Sequence, residues 1–182
     1  VQLIVVGSGV VGAACAYTAV GLGAQVTLVD AAEPGQATAA GAGIICPWTT
    51  GLDDPVWYEY GCLAARQYPD LIAQLATGGE PDVSYRRVGA LWLPPGDADE
   101  TAMIATATRL AARRAGAPEI GEVEILDPGQ AAALFPPLRP GAAAVHITGA
   151  ARVDGRRLAA ALIRAAVRRG AQVRTGHAVL EY

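Results

Sequence analysis

The tightest constraint on this chain is a run at its start. An apolar stretch, Gln2–Val6, leads straight into Gly7-Ser8-Gly9-Val10-Val11-Gly12, and a helix of small residues follows. The stretch reads as a buried strand. A second strand over residues 25–29 then ends on Asp30. Each glycine does something a side chain would spoil. Gly7 makes the tight turn off the strand, Gly9 lets the backbone approach a pyrophosphate, and Gly12 lets the helix pack close to the sheet. The helix start offers free N–H groups and a positive dipole end, which suit phosphate. Asp30, about twenty residues on, is placed to accept from a ribose hydroxyl. An ordinary strand–turn–helix would need neither these spacings nor the acid. The ordered set implies an adenine-dinucleotide site.

Composition narrows the rest. A chain of 182 residues can bury a sizeable core and holds one domain or one and part of another. Its 52% apolar content and mean hydropathy of +0.30 are high, but alanine supplies much of both. No uninterrupted apolar run is long enough to span a bilayer, and no signal-peptide pattern precedes the first strand. The chain opens on Val1, directly on a strand, so the gene is expected to begin upstream. A net charge of −3 gives no reason to expect nucleic acid. All 14 basic residues are arginine, which reads as coding bias rather than as a site. Cys15, Cys46 and Cys62 are odd in number and lack metal-ligand spacing, so free thiols in a reducing compartment and no metal site are expected. Cys15, in the first helix, reads as a small core filler.

After Asp30 the strand–helix alternation stops. Small residues from 34 to 43 form a loop leading to Ile44-Ile45-Cys46-Pro47-Trp48. Residues 55–76 read as a helix with Val56, Tyr60, Leu63 and Leu71 on its apolar face. Gly78-Gly79-Glu80-Pro81 breaks it. Residues 83–93 fit a strand kinked at Gly89. A second helix is expected over 99–115, stopped by Gly116 and Pro118. Val123–Leu126 reads as a strand, Pro128–Leu134 as a short helix and residues 142–147 as a further strand. Asp154 can cap a helix over 155–169. Its buried stripe is Leu158, Leu162, Ile163, Ala166 and Val167, with Arg157, Arg164 and Arg168 on a solvated opposite side. Gly170 ends that helix and Ala171-Gln172-Val173-Arg174 resumes the sheet, with Gly176 breaking the run before residues 178–182. The pattern is a split domain: a nucleotide-binding sheet, a long excursion and a return.

With these segments in view the chain resembles the D-amino-acid oxidase family of FAD-dependent oxidoreductases. Three segments carry the likeness. The first is Val5 through Asp30. The second, Ala37-Thr38-Ala39-Ala40-Gly41-Ala42-Gly43-Ile44-Ile45-Cys46-Pro47, is similar to the family's loop over flavin and pyrophosphate. The third is Ala151-Arg152-Val153-Asp154 with Leu158, Leu162, Gly170-Ala171 and Val179. Leu126-Asp127-Pro128 to Phe135-Pro136 adds a further similar stretch. The likeness covers the whole chain but only the N-terminal half of a typical member. Trp48, Trp57 and Tyr58 incline it towards the D-amino-acid-dehydrogenase-like branch over glycine or sarcosine oxidase.

The resemblance implies an α/β fold: a Rossmann-like FAD-binding domain of glutathione-reductase type. That domain would be discontinuous and incomplete over residues 1–48 and 143–182, interrupted at 49–142 by the first part of an α+β substrate domain. FAD is the implied cofactor. The positions implied to hold it are Gly7, Ser8, Gly9, Val10, Val11 and Gly12 in the turn, then Asp30 and Ala31. Thr38, Ala39, Gly43 and Ile44 in the loop, and Val179 near the end, complete the set. Where many members carry serine or arginine this chain has Ala39 and Ala40, leaving Thr38 and backbone N–H groups to meet phosphate. The implied reaction is hydride transfer from the Cα–H of an amino acid or related amine to flavin N5, with the imine then hydrolysed. No catalytic residue is named, because the family's carboxylate-binding side chains belong to the absent half, and this piece alone is expected to be inactive. His146, in a strand, and His177, in a turn, read as structural. Trp48 could line the flavin but reads better as an apolar filler. A cytoplasmic protein is expected, compatible with peripheral attachment at the inner membrane and with a homo-oligomer. A nicotinamide-dependent dehydrogenase would keep alternating strands and helices after Asp30. A dinucleotide-binding module without turnover is the non-enzyme rival.

Overall fold

The computed structural model describes residues 1–51, 54–95 and 100–181. The expected helix start at Asp99 and the final Tyr182 lie outside the described residues. By contacts the chain divides into two compact units. The first comprises Val1–Gly43, Pro69–Tyr85 and Val153–Tyr182; the second comprises Ile44–Tyr68 and Arg86–Arg152.

The first unit is a layer of parallel strands with helices. Strands β1 (Gln2–Val6), β2 (Gln25–Asp30) and β9 (Gln172–Thr175) run in the order β1-β2-β9. Gln2 aligns with Gln25 in one parallel ladder, and Thr27 with Gln172 in the other. Helix α1 (Val10–Gly21) packs along α6 (Gly155–Arg168). Alanines do much of this: Ala13, Ala16, Ala161 and Ala165 are all buried, and small residues let helix axes approach closely. Leu28, Leu158 and Leu162 fill the core beside them.

Two expectations fail here. β1 is not buried: Leu3, Ile4 and Val6 are 39%, 68% and 62% exposed. Among the described residues β1 is a sheet edge paired only with β2, and an apolar sequence cannot bury itself without a second neighbour. Cys15 is exposed rather than a core filler. It lies one residue from buried Ala16, and each helical residue turns the side chain by about 100°.

The end of α6 carries the unit's clearest electrostatic feature. Arg164 and Arg168 were read as a solvated face, yet both close on Glu80. Arg164 reaches Oε2 at 2.6 Å and Arg168 reaches Oε1 at 2.5 Å, with the Glu80 side chain 1% exposed. Burial raises the Glu80 carboxyl, and the two guanidinium partners more than offset this, leaving it below the ordinary glutamate range. A further link ties Val83 to the same helix: its carbonyl accepts from Asp154 N–H at 3.1 Å. These bonds explain why residues 69–85 group with the first unit, whereas the sequence placed them in the excursion. We expect Glu80→Ala to lower stability by about 1–2 kcal/mol, modest because the orphaned arginines are half-exposed and can rehydrate. The depressed carboxyl makes this contribution complete above about pH 4.3, and it fades as pH falls through the folded-state value. Denaturant titrations of both proteins at neutral pH and below that range check it, and curves that stay equally separated at both would refute it.

The second unit holds two small antiparallel sheets. In one, β5 (Ala90–Trp92), β7 (Ala144–Ile147) and β6 (Val123–Leu126) run in the order β5-β7-β6. In the other, β8 (Ala151–Arg152) lies between β3 (Ile44–Ile45) and β4 (Arg86–Arg87). Helix α4 (Glu100–Arg113) packs on β6 and β7. Trp48, Met103, Leu110, Ile120, Val145 and Ile147 form the core. Trp48 is therefore an apolar filler, 2% exposed, with its carbonyl held by Arg113 at 2.6 Å. Arg113 also lies over the Tyr58 ring at 4.4 Å, and burial is the main reason the Tyr58 hydroxyl is pushed up to about 12.

Helix α3 (Pro55–Thr77) matches its expected span, and the division between units falls within it at Pro69. Its buried face does not match. Val56, Tyr60 and Leu63 are exposed, while Cys62 and Leu75 are buried. The stretch 83–93 also differs. Ser84, with φ of +61°, precedes its first strand, and the stretch splits at the expected kink, where Gly89 takes φ of +73° and the Val88 and Gly89 N–H groups both turn to the Ala150 carbonyl. Residues 34–43, read as loop, contain the short helix α2 (Ala37–Ala40), and residues 178–181 form no strand. By contrast α5 (Pro128–Leu134) starts where expected, on a capping box in which Asp127 and Gln130 exchange side-chain and backbone bonds.

Candidate functional site

The turn after β1 is built from its own backbone. The Gly7 N–H donates to the Val29 carbonyl at 2.8 Å, and φ of +96° at Gly7 swings the chain off the strand. Gly9 is the N-cap of α1 and supplies no side chain to close the helix start; no acid stands in the first turn. A positive helix end with no side chain of its own N-cap over it suits an anion. A Cβ on Gly12 would run into the Gly7 carbonyl, so the helix can lie against the turn only with glycine there. A Cβ on Gly9 would come to 3.0 Å from Thr38 Oγ1.

Thr38 brings the second segment onto the first. Its Oγ1 accepts from the Val10 N–H at 2.9 Å, across 28 residues of sequence. The hydroxyl hydrogen remains to donate elsewhere. Ala39 contributes differently from what was expected of it. Its N–H is taken by the Gln36 carbonyl at 3.0 Å, so it is not a free phosphate donor. Gly43 meets the third segment: its carbonyl accepts from Val153 N–H at 2.9 Å, and a Cβ there would overlap the Val153 carbonyl. The need for glycine at that position comes from this close backbone approach.

Asp30 has a role the sequence did not disclose. Oδ2 accepts from Ser8 N–H at 2.5 Å and Oδ1 from Ala32 N–H at 2.6 Å. The Ser8 bond is the main reason its carboxyl sits below the usual range, with Ala32 adding to it. The acid thus braces the glycine turn and uses the Ser8 N–H that phosphate would otherwise find. Each carboxylate oxygen keeps acceptor capacity for a ribose hydroxyl. Beyond it, Ala31 is exposed, and Ala32 takes a positive φ of 60°. The His177 N–H donates to the Asp30 carbonyl at 3.1 Å, which brings the stretch leading to Val179 to the end of β2. Val179 is 40% exposed, and Val11, on the first turn of α1, is 75% exposed. Ile44 belongs to the second unit, where it pairs with Arg152 in β3–β8.

The first unit therefore gathers Gly7 to Gly12, Asp30 and Thr38 around one turn, while Gly43 packs against Val153. A glycine turn at a helix start, a threonine hydroxyl that can still donate and a carboxylate at the strand end fit the diphosphate and ribose of an adenine dinucleotide. Arg156 was missed. Its signal in the sequence was a cation in the first turn of a helix, where acids are favoured. His146 sits in β7, opposite Glu124 of β6, and His177 follows the end of β9, with its Nδ1 2.8 Å from the Thr175 carbonyl. Among the described residues no three His, Cys, Asp or Glu side chains cluster to hold a metal, and no helix is long and apolar enough to cross a membrane.

Comparison with known proteins agrees with this geometry. A family model described as DAO, FAD dependent oxidoreductase, matches residues 2–182. The chain belongs to the DAO family of FAD-dependent oxidoreductases. It is 45% identical over 177 residues to the uncharacterized oxidoreductase YurR of Bacillus subtilis (strain 168), covering 97% of this chain and 47% of that protein. It is similar to iminodiacetate oxidase (IdaA) from Chelativorans sp. BNC1, at 46% identity and a TM-score of 0.89, over 96% of this chain and 46% of that one. Glycine oxidase from Geobacillus kaustophilus matches at 26% identity and a TM-score of 0.74, over 96% of this chain and 46% of that one. The chain spans about half the length of the relatives it matches.

Proposed function

We propose that the full-length protein containing this chain oxidises the C–N bond of an amino acid or related amine, with FAD as its acceptor. One observation carries the reading: 46% identity to iminodiacetate oxidase over 96% of the chain. That relation favours a carboxylated secondary amine over the D-amino-acid-dehydrogenase-like substrate first suggested by Trp48, Trp57 and Tyr58. Bound FAD would supply the hydride acceptor. The residues of this chain would do the holding, through a Rossmann-like unit of glutathione-reductase type. Gly9 and the start of α1 would face the diphosphate, with Thr38 donating to it. Asp30 would accept from the ribose while keeping Ser8 in place, and Val179 would pass the adenine. No side chain here is assigned to move the substrate proton, and the groups that grip the substrate carboxylate are assigned to the other half of the protein.

The test is direct. Purified full-length protein is expected to carry a flavin absorbance spectrum and to lose it on anaerobic addition of iminodiacetate or an N-substituted glycine. A yellow protein that responds only to D-amino acids would return the D-amino-acid-dehydrogenase-like reading. A colourless protein that binds a nicotinamide dinucleotide would end the proposal.

A further inference from the structure

We propose that Arg156 is the positioning residue of the dinucleotide loop, holding Thr38 over the α1 helix start; this rests on the FAD-binding reading above. The guanidinium of Arg156 places two donors on one acceptor. Nε lies 3.2 Å and a terminal nitrogen 2.7 Å from the Ala39 carbonyl, a link across 117 residues. Ala39 lies near the C-terminal end of α2, where carbonyls lack helical partners and a cation is favoured. Arg156 itself stands in the first turn of α6, where a cation is disfavoured. The charge is thus placed against its own helix and in favour of the neighbouring one. Its geometry suits a role towards the loop.

The rest of the loop shows why this contact has a separate effect. The far end is already pinned by the Gly43–Val153 backbone bond. Gly155 lies against the Thr38 carbonyl and methyl, so a side chain there would meet both at 3.4 and 3.6 Å. Arg156 closes the remaining freedom, at the turn that aims Thr38 Oγ1 at the Val10 N–H. Removing the guanidinium should leave the fold standing and loosen only that turn. The cost then falls on ligands that carry a diphosphate.

The experiment uses full-length protein stripped of flavin. For Arg156→Ala, affinity for FAD and for ADP is expected to fall on the order of tenfold, the scale of one charge-assisted hydrogen bond. Affinity for adenosine, which lacks the diphosphate, should hold, as should the melting temperature of the apoprotein. Arg156→Lys, which keeps the charge but not the fork, should recover part of the loss. Arg157→Ala, whose guanidinium turns to Ser84, should bind FAD like the parent. Equal FAD affinity in Arg156→Ala and parent would overturn the inference, as would an apoprotein destabilised enough to account for the weaker binding. If the parent itself takes up neither FAD nor ADP, the dinucleotide site falls and Arg156 falls with it.

Discussion

Gly9→Val is expected to lower the affinity of the full-length protein for FAD by about a hundredfold or more, with the fold retained. The reason is space at one atom. A Cβ at Gly9 already comes to 3.0 Å from Thr38 Oγ1, tighter than ordinary packing. Two further methyls have to lie over the start of α1, where the diphosphate is assigned, or push Thr38 away from Val10. Either result removes donors from the cradle. Flavin fluorescence titration gives the affinity, and circular dichroism shows whether α1 still forms. A valine variant that binds FAD as tightly as its parent would show that the diphosphate lies elsewhere.

Gly43→Ala is expected to destabilise the protein by about 3 kcal/mol or more, because two penalties fall on one methyl. Gly43 has a φ of +70°, where a side chain is strained, and its Cβ would overlap the backbone carbonyl of Val153. Backbone on both sides of the contact cannot swing aside as a long side chain can. Gly23 separates the two effects. It has a φ of +85° with nothing within 4 Å of a built Cβ, so Gly23→Ala should cost only about 1 kcal/mol. Denaturant midpoints for the two variants give the comparison. Equal losses would mean that strain alone, and no overlap, governs position 43.

What the sequence disclosed and what it hid follow from the range of the interactions. The turn from Gly7 to Gly12 and the acid at Asp30 were legible because local spacing dictates them. The starts of α5 and α6 were legible for a similar reason: Asp127 and Asp154 cap helices within three residues of themselves. The exposure of β1 was not, since an apolar strand reads the same whether or not a neighbour covers it. The face of α3 was missed because both of its sides carry apolar residues, and only tertiary packing chooses Cys62 and Leu75 over Val56 and Tyr60. Thr38 on Val10 and Arg156 on Ala39 join residues far apart in sequence. No period or motif encodes such pairs. Asp30 lay between these cases: its position was readable, but its bond to Ser8 was not.

The pairing of Glu80 with two arginines has one more consequence. A guanidinium keeps its proton at any pH a protein survives, so nothing on the alkaline side can undo the latch. An ammonium in either place would begin to let go near pH 10. The grip of residue 80 on α6 is therefore sensitive in one direction only, and protonation of a single carboxylate is its release.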